Sequence, residues 1–180
     1  MEQKWDCGAT LGTVTATLNE GTLTVSGAGA MKDYDKCMPP WNAYKRSIAN
    51  VVIEDGVTTI GEGAFGPFYG LTSVVIPDSV TSIGRDAFWG CYSLTAVTFP
   101  RDLATIEDSA FFGCDNLTTV TIPKGVTTIG EGAFFWCSGL TSVTIPDSVT
   151  FIGEGAFYMC IGLTSIVIPN GITSIDLGVF

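Results

Sequence analysis

Six cysteines are the residues of this 180-residue chain best equipped for chemistry. Cys91, Cys114, Cys137 and Cys160 stand 23 residues apart, while Cys7 and Cys37 lie outside that series. Four thiols at one period invite a zinc site, but zinc needs ligands that converge on a point. Thiols from stacked copies of one motif instead form a column of parallel side chains about 4.8 Å apart, and parallel side chains meet the disulfide dihedral poorly. The series therefore reads as small buried thiols filling a core. Phe68, in the equivalent place of the first unit, fits packing rather than ligation. No metal and no cofactor is expected. For Cys7 and Cys37 two states fit: free thiols, or a disulfide closing a loop of about thirty residues and stabilising that segment by ~3 kcal/mol.

The chain has no histidine. That removes the commonest general acid/base, the commonest metal ligand, and every Ser-His or Cys-His nucleophile pair. Carboxylates are plentiful, with 18 Asp and Glu against 8 Lys and Arg, a formal charge of −10. A paired-carboxylate glycosidase needs two acids facing each other across a substrate, one with its pKa raised by burial. Here Asp78, Asp102 and Asp147 fall in turns, and Glu62, Asp108, Glu131 and Glu154 fall where a short helix would start, places where acids serve the backbone. The expected class is non-enzymatic. The negative charge repels phosphate backbones and anionic lipid surfaces, so neither nucleic acid nor membrane is expected as a partner. No stretch approaches the roughly 20 apolar residues of a spanning helix.

A repeat positions these residues. Ile53, Ile76, Phe99, Ile122, Ile145 and Ile168 recur every 23 residues, as do Ile60, Ile83, Ile106, Ile129, Ile152 and Ile175, and Phe65, Phe88, Phe111, Phe134, Phe157 and Phe180. From Leu140 to Gly162 one unit reads L-T-S-V-T-I-P-D-S-V-T-F-I-G-E-G-A-F-Y-M-C-I-G. Val143 and Ile145 alternate inward on a short strand, and Pro146 removes a donor and ends it. Asp147-Ser148 turns the chain. Val149 and Ile152 begin a second inward face, and Gly153-Glu154 leads into a short helix or turn carrying Ala156, Phe157 and Cys160. One such coil cannot bury its own apolar face, whereas copies stacked on one another share a core. The fold class is a repeat solenoid with a short β-strand plus a short helix or turn per coil.

The consensus L-x-x-V-x-I-P-x-x-V-T-x-I-G-x-x-A-F-x-x-C resembles the 23-residue leucine-rich repeat of the BspA-like family, over residues 48–180. The segment from Cys7 to Trp41, with C-G-A-T, G-T-L-T-V-S-G-A-G-A-M and P-P-W, is similar to the lead-in that precedes such repeats. The resemblance implies a bacterial cell-surface or secreted protein that adheres to host or bacterial partners, protein or glycan.

Residues 1–47 break the period. Val14, Ala16 and Leu18 alternate, Asn19-Glu20-Gly21 turns, and Leu23 and Val25 alternate again, which predicts a β-hairpin cap over the first coil. Residues 48–180 then form six units, the last truncated. Residues 1–47 carry five basic and five acidic side chains; residues 48–180 carry three and thirteen, and hence the whole net charge. The sequence stops at Phe180 in mid-unit, which predicts either a longer parent chain or an end covered by a partner, a second copy included. Met1-Glu2-Gln3-Lys4-Trp5 has no apolar leader, so an exported protein would have lost it.

Two columns are the candidate binding surfaces. On the strand face the outward residues are Ser73, Val75, Thr98, Thr119, Thr121, Ser142, Thr144, Ser165 and Val167, a flat ladder of small side chains. After each Ala-Phe step come Trp89, Phe112, Phe135 and Tyr158, with Trp136 beside them. These rings either face solvent, as an interface, or tuck between coils as part of a thick core. The expected function is a binding or adhesion module. The alternative is a structural module that self-assembles into a homo-oligomer through the aromatic column or the open end.

Overall fold

The computed structural model describes residues 2–176 and 178–180, apart from the side chain of Lys36. The 23-residue period becomes a β-solenoid in which each coil has two strand edges and a third side made of turns. First strands are β5 (Asn50–Ile53), β7 (Ser73–Val75), β9 (Ala96–Val97), β11 (Thr119–Thr121) and β13 (Ser142–Thr144). Second strands are β6 (Val57–Ile60), β8 (Ser82–Ile83), β10 (Thr105–Ile106), β12 (Thr128–Ile129) and β14 (Phe151–Ile152). All these pairings are parallel. Along the second edge, in-register pairing sets Ile60, Ile83, Ile106, Ile129 and Ile152 in one line. The first edge is interrupted: β9 pairs with β7, and β11 pairs with β13 in a separate sheet. The break falls at the coil where Phe99 takes the place of Ile76 and Ile122.

The N-terminal segment goes beyond the expected hairpin. β1 (Gln3–Asp6), β2 (Val14–Asn19) and β3 (Thr22–Gly27) form an antiparallel meander. β3 then pairs in parallel with β5, so the meander and the repeats share one sheet. β4 (Gly29–Ala30) likewise extends the second edge by pairing with β6. Every terminal strand edge of the first coil is thereby occupied, which is what a solenoid end requires.

The third side is built from turns, without the short helix that Glu154 suggested. Within it, N–H groups bond three residues back, as from Ala156 to Gly153 and from Tyr158 to Gly155. Intervening residues adopt left-handed φ, as at Gly155 and Met159 (64° and 60°). This alternation aims every second N–H along the stacking axis. Phe65, Phe88, Phe111 and Phe134 each donate to the alanine carbonyl of the following coil at 2.8 Å. A regular helix would spend those donors inside the coil and leave the stack unbonded on this side. Gly153 shows how close the coils come: a Cβ there would sit 2.5 Å from the Glu131 backbone nitrogen.

Inside, the rings of Trp41, Phe65, Phe88, Phe111, Phe134, Phe157 and Phe180 stack in a single column, with neighbouring centroids 5.2 to 6.1 Å apart. Trp41 closes the column on the cap side, where its indole N–H donates to the Ala64 carbonyl at 3.0 Å. The sixth unit keeps the apolar pattern through partly buried Leu163, Ile166 and Ile172, but residues 163–176 form no strand.

Phe111 is fully buried between Phe88 and Phe134. Phe111→Ala is expected to cost ~3–5 kcal/mol, and Phe112→Ala distinctly less, because its ring is only half-buried. Urea melts of the two variants check this.

Candidate functional site

The cysteine column is core, and it does more than fill space. Cys91, Cys114, Cys137 and Cys160 are buried, and each thiol donates to the carbonyl of Phe65, Phe88, Phe111 or Phe134 in the preceding coil, at 3.1 to 3.4 Å. Burial pushes Cys91 up to about 12 and Cys114 well above an ordinary thiol. Raised this far, Cys91 and Cys114 are neither nucleophiles nor ready metal ligands, whereas the hydrogen bond shared by Cys137 and Cys160 holds Cys137 above and Cys160 below the ordinary thiol range. Among the described residues no three or more Cys, Asp or Glu side chains cluster as metal ligands.

The Cys7–Cys37 disulfide is not formed; both thiols are free. Cys7 is sealed beneath the β1–β3 meander, where burial pushes it to about 12. Cys37 lies half-buried on the turn side, its sulfur beside Gly63, and burial pushes it to about 11.

All nine strand-face residues, Ser73, Val75, Thr98, Thr119, Thr121, Ser142, Thr144, Ser165 and Val167, are exposed. Thr98, Ser165 and Val167 lie outside the strands, so the ladder is not the uninterrupted sheet the period implies. At the break between β9 and β11 it opens into a cleft of about 370 Å³ lined by Thr98, Thr119 and Thr121. Threonines at the strand starts are committed to the scaffold instead: the hydroxyls of Thr72, Thr95 and Thr141 each donate to a carbonyl one coil back.

The aromatic column takes a position between the two expectations. Trp89, Phe112 and Phe135 are half-buried, and their rings continue through Tyr158 as a second, outer stack. Centroid distances along it are 6.3, 4.9 and 5.2 Å. Tyr158 and Trp136 are 42% and 51% exposed. Phe112, Phe135 and Tyr158, with Ser109, Glu131 and Glu154, line a groove of about 360 Å³ on the turn side. Trp136 and Met159 hold left-handed φ of 59° and 60° in the column where the two preceding coils have Gly90 and Gly113. Bulky side chains rarely adopt that conformation.

A further cluster was legible in the sequence only as two tyrosines one period apart. Tyr69 and Tyr92 stack at 5.5 Å, and Lys45 and Arg46 both lie over the Tyr69 ring. The cations come from outside the repeat, so no periodic signal points to them.

The architecture is that of a leucine-rich repeat solenoid. Residues 42–123 match the BspA type Leucine rich repeat region, in six copies, and the chain carries repeats of that type. No curated protein matches the chain. Among solved structures it is similar to a leucine-rich repeat protein from Eubacterium ventriosum, at 30% identity and a TM-score of 0.81 over 95% of this chain and 45% of that one. It is also similar to a leucine-rich repeat protein from Bacteroides ovatus (31%, TM-score 0.69, 91% and 48%). A leucine rich cell surface protein from Faecalibacterium prausnitzii is similar as well (30%, TM-score 0.64, 90% and 54%). The chain spans about half the length of these relatives. None of its helices among the described residues is long and apolar enough to cross a membrane.

Because folded Cys91 and Cys114 titrate well above unfolded thiols, their contribution is whole below pH ~8.5 and is lost as pH rises toward their folded values. Stability is expected to fall above pH ~9 by up to ~1.4 kcal/mol per pH unit for each such thiol. Denaturant midpoints from pH 8 to 11 check this, and a Cys91→Ala, Cys114→Ala double variant should flatten the slope.

Proposed function

We propose that the chain is a non-enzymatic binding module of a bacterial surface or secreted protein, presenting repeated columns to protein or glycan partners. One observation carries the reading: Trp136 and Met159 stand half-exposed in a left-handed conformation where neighbouring coils use glycine. A bulky residue there strains the backbone, and an exposed side chain recovers little of that cost by packing. Strain of this kind persists where a surface is used. Half-exposed aromatic rings are also what interface centres are made of. The Faecalibacterium prausnitzii relative is a cell surface protein, which supports the location. A ladder of equal positions one coil apart lets weak contacts act together, which suits adhesion to repetitive surfaces.

Self-assembly is the second reading, favoured by the apolar exposure of Ile161, Val167 and Phe180 around the last coil. It requires the purified chain to grow in mass with concentration. Light scattering across two decades of dilution decides: a constant single-chain mass removes this reading.

For the binding reading, the purified chain is tested on an array of extracellular-matrix proteins and bacterial and host glycans. A Trp136→Ser, Tyr158→Ser variant is expected to lose binding by at least about tenfold while its melting temperature stays within a few degrees. Binding that survives this variant and a Thr121→Glu, Thr144→Glu variant of the strand face would overturn both columns.

A further inference from the structure

The groove of Ser109, Phe112, Glu131, Phe135, Glu154 and Tyr158 has an aromatic floor and two carboxylates, and no cation among its lining. We infer that it accepts an arginine side chain from a basic segment of a partner polypeptide. This rests on the binding reading above and gives that surface a chemistry.

Three observations carry it. Arg85, Asp108, Glu131 and Glu154 occupy one column at the 23-residue period, and Arg85 bridges to Asp108 at 2.7 Å. Side chains one coil apart in this column therefore meet. Beyond that pair come Glu131 and Glu154, both exposed, with no ion-pair partner among the described residues. A guanidinium between them would repeat the Arg85–Asp108 contact with its remaining donors satisfied as well.

The chain also shows what it does with an aromatic stack when it has cations at hand. Over the Tyr69–Tyr92 stack it lays Lys45 and Arg46, 5.6 and 5.5 Å from the Tyr69 centroid. The Phe135–Tyr158 pair has a similar ring separation, with its planes tilted by 40°, but lies in a stretch, residues 125–180, with no lysine or arginine at all and four acidic residues. The face of an aromatic ring attracts a cation, and flanking carboxylates add to that attraction. The fitting partner group is thus cationic, planar and supplied from outside. An arginine meets all three conditions; its plane lies against the rings while its edge reaches the carboxylates.

The test is calorimetric titration of the intact chain with acetylated, amidated tetra-arginine, using tetra-citrulline as its neutral isostere. Saturable binding of tetra-arginine, weakened by added salt, is expected, with tetra-citrulline weaker by at least about tenfold. Glu131→Gln, Glu154→Gln should weaken tetra-arginine by about tenfold or more, and Tyr158→Leu by severalfold, at unchanged melting temperature. A Glu20→Gln, Glu54→Gln control, removing two exposed acids outside the groove, should leave the affinity as it was. No binding, equal binding of tetra-citrulline, or equal loss in the control overturns the inference. If it falls while Trp136→Ser, Tyr158→Ser still abolishes capture on the array, the binding reading stands with a different occupant; if the array result fails too, both fall.

Discussion

The stacked ring column is the constraint on which the rest of the solenoid depends. Rings from Trp41 to Phe180 repeat at 5.2 to 6.1 Å, close to the spacing of paired strands, so side-chain stacking and backbone pairing impose the same rise per coil. Each phenylalanine also acts through its main chain. In Phe65, Phe88, Phe111 and Phe134 the N–H bonds forward to the next alanine carbonyl, and the carbonyl receives a thiol from the next cysteine. One residue position per coil thus ties three coils together. The turn conformation goes with this: left-handed residues four apart in each coil, as at Gly132 and Trp136 or Gly155 and Met159, flank the phenylalanine whose N–H points along the axis.

The four thiols of the repeat are hydrogen-bond donors in the core, and the carboxylates lie outside, spread along columns. What the scaffold offers instead is position: side chains at equal intervals on faces whose geometry the core fixes. The outer aromatic stack shows the consequence. Because its rings ride on the inner column with the same period, they follow one another one coil apart, parallel at Phe112–Phe135 and tilted by 32° and 40° at the two ends.

Much of this was legible in the sequence because the signal was periodic. The inner faces, the isoleucine lines, the phenylalanine column and the burial of the four cysteines all follow from a 23-residue repeat that cannot hide its apolar face alone. The places where reading failed are those where period and local conformation part company. Glu154 looked like a helix start, but the axis bonding needed left-handed residues at Gly155 and Met159. Phe99 looked like a larger isoleucine, yet the first edge divides at its coil. For Cys7 and Cys37 the sequence left two states open, and the structure holds both as free thiols.

The sequence by itself determined the coil length, the class of fold, the inner residues and the absence of histidine chemistry, since each depends only on which residue types recur and how often. Tertiary structure alone decided which cations cover Tyr69, that Arg85 pairs with Asp108 while Glu131 and Glu154 have no ion-pair partner among the described residues, and that Trp136 is exposed at the place of Gly113. Those outcomes depend on distances between residues one or more coils apart, and such distances exist only once the stack has formed.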